Sequence, residues 1–110
     1  MRQYTTPSYT LTINGVDLTG CDVYVTFRQG VKTVTIDDPT VTHHAATETE
    51  PEKTVIGVSL TQEQTAAFNS RQDADVQVNW IDVHEKRNAT NIKAVPVLPN
   101  LLPEILEYGV

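Results

Sequence analysis

Apolar residues recur at every second position through most of the chain, the period of a half-buried β-strand. In SYTLTI, Tyr9, Leu11 and Ile13 alternate with Thr10 and Thr12, and the run stops at Asn14-Gly15. That pair favours the left-handed turn conformations that reverse a strand. After the short VDL, the stretch CDVYVTFRQG puts Val23, Val25 and Phe27 on one face and Tyr24, Thr26 and Arg28 on the other, ending at Gly30. VKTVTI at 31–36 repeats the alternation and DDP at 37–39 breaks it; the threonines and valines through 31–42 reinforce the β reading. TVIGVSL at 54–60 aligns Ile56, Val58 and Leu60. DADVQVNWID at 73–82 is the most regular strand, with Val76, Val78 and Trp80 inward. HEKR at 84–87 predicts a turn and 88–97 the return strand. Pro96 cannot donate to a ladder, so that strand ends there or lies at an edge.

Three segments depart from this period. Residues 43–53, HHAATETEPEK, are polar and acidic and predict an exposed hairpin loop or strand edge. In TQEQTAAFN, Thr61 with Gln64 three residues on fits a capping box, and Ala66, Ala67 and Phe68 extend a two-turn helix over 62–69. The tail LPNLLPEILEYGV spaces Leu101 and Ile105, and Leu102 and Leu106, four apart. A short helix capped by Asn100, with Pro103 in its first turn, would gather these four on one side. Such a helix is unstable alone and must pack on something.

Six or seven short antiparallel strands with one short helix on a connection predict an all-β domain. The expected fold is a small immunoglobulin-like β-sandwich over 1–98 with a C-terminal arm at 99–110; a small barrel is the alternative. The 110 residues suit one domain with one core. Eight basic against fourteen acidic residues give a net charge of −6, which opposes binding to nucleic acid or to an anionic membrane surface. One cysteine, Cys21, excludes an intrachain disulfide and a CxxC zinc pair. MRQYTTPSYT has neither the charge nor the apolar run of a signal peptide, and no stretch is long enough to cross a bilayer, so synthesis and folding in the cytoplasm are expected.

Candidate chemistry is sparse. His43, His44 and His84 with Glu48, Glu50 and Glu52 are the conceivable metal set. Neighbours on a strand point to opposite faces, so His43 and His44 reach one ion only from a loop, and a solvated acidic segment is the preferred reading. No serine sits in a nucleophile elbow and no glycine-rich loop opens a helix. Asp22 beside Cys21 raises its pKa rather than activating it. Asn88-Ala89-Thr90 matches a glycosylation acceptor that nothing else supports. Trp80 reads as core, and Tyr24 is the better candidate for an exposed aromatic. No catalytic residue, metal or cofactor is expected.

The stretches YTLTINGVDLTGCDVYVTFRQG, VSLTQEQTAAF and VQVNWIDVHEKRNATNIKAVPVLPNLLPEILEYG resemble small virion structural proteins encoded in phages and prophages of Gram-positive gut bacteria. The layout is similar to the N-terminal β-sandwich of siphophage upper baseplate proteins: a first strand, a D-V-x-V-T-F strand, a central hairpin loop and a closing strand pair. The resemblance implies a non-enzymatic virion component, in the tail, baseplate or head–tail region, that associates with itself or with other phage structural proteins. Leu101, Leu102, Ile105, Leu106 and Tyr108 of the arm are the expected protein-interaction residues. A standalone glycan- or peptide-binding module, reading its ligand through a sheet face around Tyr24 or the 43–53 loop, is the rival.

Overall fold

The computed structural model describes residues 1–109. Eight strands and one helix follow in the order β1 (Ser8–Asn14), β2 (Asp22–Gln29), β3 (Lys32–Ile36), β4 (Thr40–His44), β5 (Lys53–Ser59), α1 (Gln62–Ala66), β6 (Ala74–Ile81), β7 (Arg87–Ala89) and β8 (Lys93–Val95). The strands form two antiparallel sheets. One has the order β1-β5-β4; the other has β3-β2-β6-β7, with β8 also beside β6. Relabelled as immunoglobulin strands, these are B-E-D facing C′-C-F-G. The expected all-β sandwich is therefore formed, and no strand among the described residues bridges the two sheets as a barrel would require.

The period-two pattern explains the layers. Inward residues of β5 (Ile56, Val58), β2 (Val23, Val25, Phe27) and β6 (Ala74, Val76, Val78) are buried in one core with Leu18, Leu60, Phe68 and Val97. Tyr9 of the first sheet meets Phe27 of the second with ring centroids 5.7 Å apart. Trp80 is half-buried at the margin of this core, less enclosed than its inward register suggests.

Elsewhere the structure departs from the expectations at turns and ends, where side chains rather than period decide. Gly15 does adopt a left-handed backbone, φ +76°, but it does not fold β1 onto β2. The chain crosses to the second sheet instead. Buried Thr54 steers it, donating to the Val16 carbonyl at 2.6 Å and accepting from the Leu18 amide at 3.3 Å, so that Leu18 enters the core. The strand expected over 88–97 is split into β7 and β8 by a bulge. Ala89 pairs with Asn79 and Lys93 with Val76, so residues 90–92 face only 77 and 78. Thr90 bridges the break: its amide donates to the Val78 carbonyl at 2.9 Å and its hydroxyl accepts from the Val78 amide at 3.1 Å. His43 and His44, expected in the 43–53 loop or edge, end edge strand β4.

The helix carries the expected capping box of Thr61 and Gln64 but spans Gln62–Ala66, shorter than 62–69. Gln29, at the end of β2, ends it. The Gln29 side chain accepts from the Asn69 amide at 2.6 Å and donates to the Asn69 and Gln72 carbonyls at 2.7 and 2.9 Å, which takes this backbone out of helical register. The tail helix does not form. Leu102 precedes Pro103 and is pushed away from helical backbone angles. Asn100 instead closes a local turn, accepting from the Leu102 amide at 3.0 Å.

Candidate functional site

Residues 99–109 run along the α1 end of the sandwich as an arm without regular structure. Its root is tied down. Leu98 donates to the Met1 carbonyl at 2.7 Å, Arg2 pairs with Leu98 in a single parallel bridge, and the Asn100 amide group donates to the Gln3 carbonyl at 3.1 Å. Farther out one contact holds it. The Gln62 side chain takes both backbone groups of Leu106, donating to its carbonyl at 2.8 Å and accepting from its amide at 2.7 Å. Hydrogen bonds to its backbone therefore hold the arm, while its apolar side chains are about half covered or less. Leu101 and Tyr108 are fully exposed, and Leu102, Ile105 and Leu106 keep 48%, 43% and 56% of their surface in solvent. All five residues picked out from the sequence thus lie on the surface, along an irregular arm rather than on a helical face.

A groove of about 500 Å³ lies between the two sheets on the side where β1 and the bulged β7–β8 edge face each other. Leu11, Ile13, Val78 and Trp80 give it an apolar floor, and Lys93 is its one charged residue. An immunoglobulin sandwich of the B-E-D type carries a further strand, A, beside B. Here that strand is reduced to the Arg2–Leu98 bridge, so among the described residues β1 pairs only with β5. The Gly15 amide bonds the Glu52 carbonyl at 2.6 Å and the Leu60 amide bonds the Pro7 carbonyl at 3.0 Å. Antiparallel alternation then turns the backbone groups of odd-numbered residues of β1 toward β5, and those of Thr10, Thr12 and Asn14 outward into the open edge. The sequence alone concealed this feature, because an absent partner strand leaves no mark on alternation.

Around Tyr24, on the outer face of the second sheet, a depression of about 390 Å³ is lined by Thr26, Thr35, Asn79, Trp80, Ile81 and Arg87. Its polar groups are engaged with one another: Thr26 and Thr35 hydroxyls lie 3.2 Å apart, and Arg87 donates to Asn79 Oδ1 at 3.1 and 3.4 Å. Tyr24 is its one prominently exposed aromatic.

Of the conceivable metal set, the structure brings together only His43 and Glu52, and it adds Asp17, which sequence spacing did not suggest. Among the described residues these three alone converge ligand atoms, all within 4.8 Å of one another. Glu52 Oε1 is 3.4 Å from His43 Nε2 and Asp17 Oδ2 is 3.9 Å from Nδ1; Nε2 is buried without a hydrogen-bond partner. Both carboxylates are well exposed, and the Asp17 pairing lays the β1–β2 connection against β4 as a solvent-screened surface contact. Thr19 hydrogen bonds, with a smaller contribution from His43, hold the Asp17 carboxyl below its usual range. His44 is exposed on the other face of β4, and His84 sits in the β6–β7 turn. Burial, then the carboxylates of Asp82, Asp17 and Asp22, push the Cys21 thiol up and keep it protonated.

No helix among the described residues is long and apolar enough to cross a membrane. No family model matches the chain, and neither the curated proteins nor the solved structures compared with it give a match.

Proposed function

We propose that the chain is a non-enzymatic structural subunit that works through protein–protein contacts, a component of a phage or prophage virion made in the host cytoplasm. The observation that carries the contact reading is the arm. Five apolar side chains lie exposed on one terminal segment, whereas the other exposed apolar residues, Val31, Val83 and Ile92 among them, are scattered singly over the surface around a buried core. Each aliphatic side chain fully removed from water contributes about 1.5–3 kcal/mol, so leaving them uncovered forgoes several kcal/mol that a partner would recover. The virion setting rests on the resemblance to phage structural proteins. The depression around Tyr24 favours the rival, a glycan- or peptide-binding module, less strongly. A ligand there would have to displace hydrogen bonds that its polar residues already make to one another.

Deleting residues 99–109 with the last residue tests the reading. The truncated protein is expected to keep its β-sheet circular dichroism and a cooperative melt while losing concentration-dependent self-association in light scattering. A truncated protein that folds and associates as before would overturn it.

A further inference from the structure

We infer that the open edge of β1 is the seat of the arm: the C-terminal arm of a second copy adds as a strand antiparallel to β1, filling the groove between the sheets. The inference rests on the contact reading above and names where the contact is made and by what.

The geometry of the two halves sets the parity of the register. The open edge offers the outward N–H and C=O groups of Thr10, Thr12 and Asn14. The arm contains one residue that cannot donate, Pro103, whose nitrogen must face away from β1. In an antiparallel ladder this assigns the even-numbered arm residues to the hydrogen-bonded positions. Of the registers with that parity, the one that seats both Pro103 and Ile105 on the groove floor puts Leu102 opposite Asn14, Glu104 opposite Thr12 and Leu106 opposite Thr10. Directly opposed residues share a face. The odd-numbered residues Pro103 and Ile105 then point inward with Ile13 and Leu11, onto the apolar floor of the groove.

Charge agrees with the same register. Glu107 falls opposite Tyr9. Tyr9 packs on Phe27, Phe27 pairs with Val76, and Val76 pairs with Lys93, so Glu107 arrives at the level of the groove's one charged residue, a cation. The molecule as a whole carries a net charge of −6, which makes a cationic groove beside an acidic arm a selective match. Length is sufficient too: five residues of β1 line the groove, and the arm provides more than that. In the free chain Gln62 holds the backbone of Leu106, the same groups that Thr10 would take, so that contact must open when the arm is exchanged.

The test mixes two single-cysteine proteins in a Cys21→Ser background, Thr12→Cys and Glu104→Cys, under mild oxidation. Hydrogen-bonded antiparallel pairs have Cα atoms about 5.5 Å apart, within disulfide reach. A covalent dimer of one chain of each kind is expected, and much less with Val41→Cys on β4, the opposite edge of the same sheet, in place of Thr12→Cys. Gln62→Ala, which frees the arm, is expected to strengthen association several-fold. If the proteins associate through residues 99–109 but Thr12→Cys links no better than Val41→Cys, the arm docks elsewhere: the inference is overturned and the contact reading stands. Proteins that remain monomeric at every concentration overturn both.

Discussion

Asp82 organises the β6–β7 turn through its side chain, accepting from the His84 amide at 2.8 Å and the Lys86 amide at 3.0 Å. The Lys86 amide above all, then the His84 amide and the electrostatic influence of both side chains, hold the Asp82 carboxyl below the usual aspartate range. A carboxyl with a lowered folded pKa adds stability that is complete above its unfolded value, about 3.9, and is lost as pH falls through the folded value. Asp82→Asn should therefore be less stable than the parent at neutral pH, and the gap should close in acid. Denaturant midpoints of the two proteins, measured at neutral pH and again below about pH 3, check this. A gap that is independent of pH would assign the turn to the shape of the side chain rather than to its charge. The positive φ of Glu85, +61°, lies inside the same turn and shows how tightly five residues are bent to bring Arg87 opposite Ile81.

At the scale of elements, α1 is held less by its own propensity than by what grips its ends. Five residues are too few to be helical alone. Thr61 and Gln64 cap one end. Buried Thr65 donates to the Thr5 carbonyl at 2.9 Å and accepts from the Thr5 amide at 3.1 Å, lashing the N-terminal segment across the helix. Gln29 fixes the other end with three hydrogen bonds to Asn69 and Gln72. Gln29→Ala leaves those part-buried backbone groups without their partner, and a loss of about 1 kcal/mol is expected, the lower end of the range for such groups. Urea unfolding reads it; a midpoint unchanged within error would mean that water replaces the amide. Gln29 also explains why the helix boundary was illegible. Its position in β2 is an ordinary alternating one, and nothing local at 67–69 signals that a strand forty residues earlier will claim that backbone. The same holds for the β7–β8 bulge, which Thr90 decides with a single hydroxyl. By contrast β2, β5 and β6 were legible almost to the residue, because burial on one face writes itself into every second position. The candidate arm residues were legible as apolar; their irregular backbone was not, since the four-residue spacing suggested a helix that does not form.

For the whole molecule, net charge and apolar contact act against each other in assembly. Two copies each carrying −6 repel at a distance, whereas the proposed seating of the arm buries Pro103 and Ile105 on an apolar floor and brings only one close opposite-charge pair, Glu107 with Lys93. Raising ionic strength from about 0.01 M to about 0.1 M shortens the Debye length from roughly 30 Å to roughly 10 Å, which screens the repulsion between whole subunits. A solvent-exposed ion pair at the groove's rim contributes about 1 kcal/mol or less and loses part of that over the same range. Apolar burial does not weaken with such salt. The sum of these terms has a definite sign: self-association should tighten as salt rises through this range. Light scattering across a concentration series at the two ionic strengths measures it. Association that weakens with salt would mean that ionic contacts dominate the interface. The acidic 43–53 segment, with Glu48, Glu50 and Glu52 near the β4 edge, would then replace the arm as the place to look for a cationic partner.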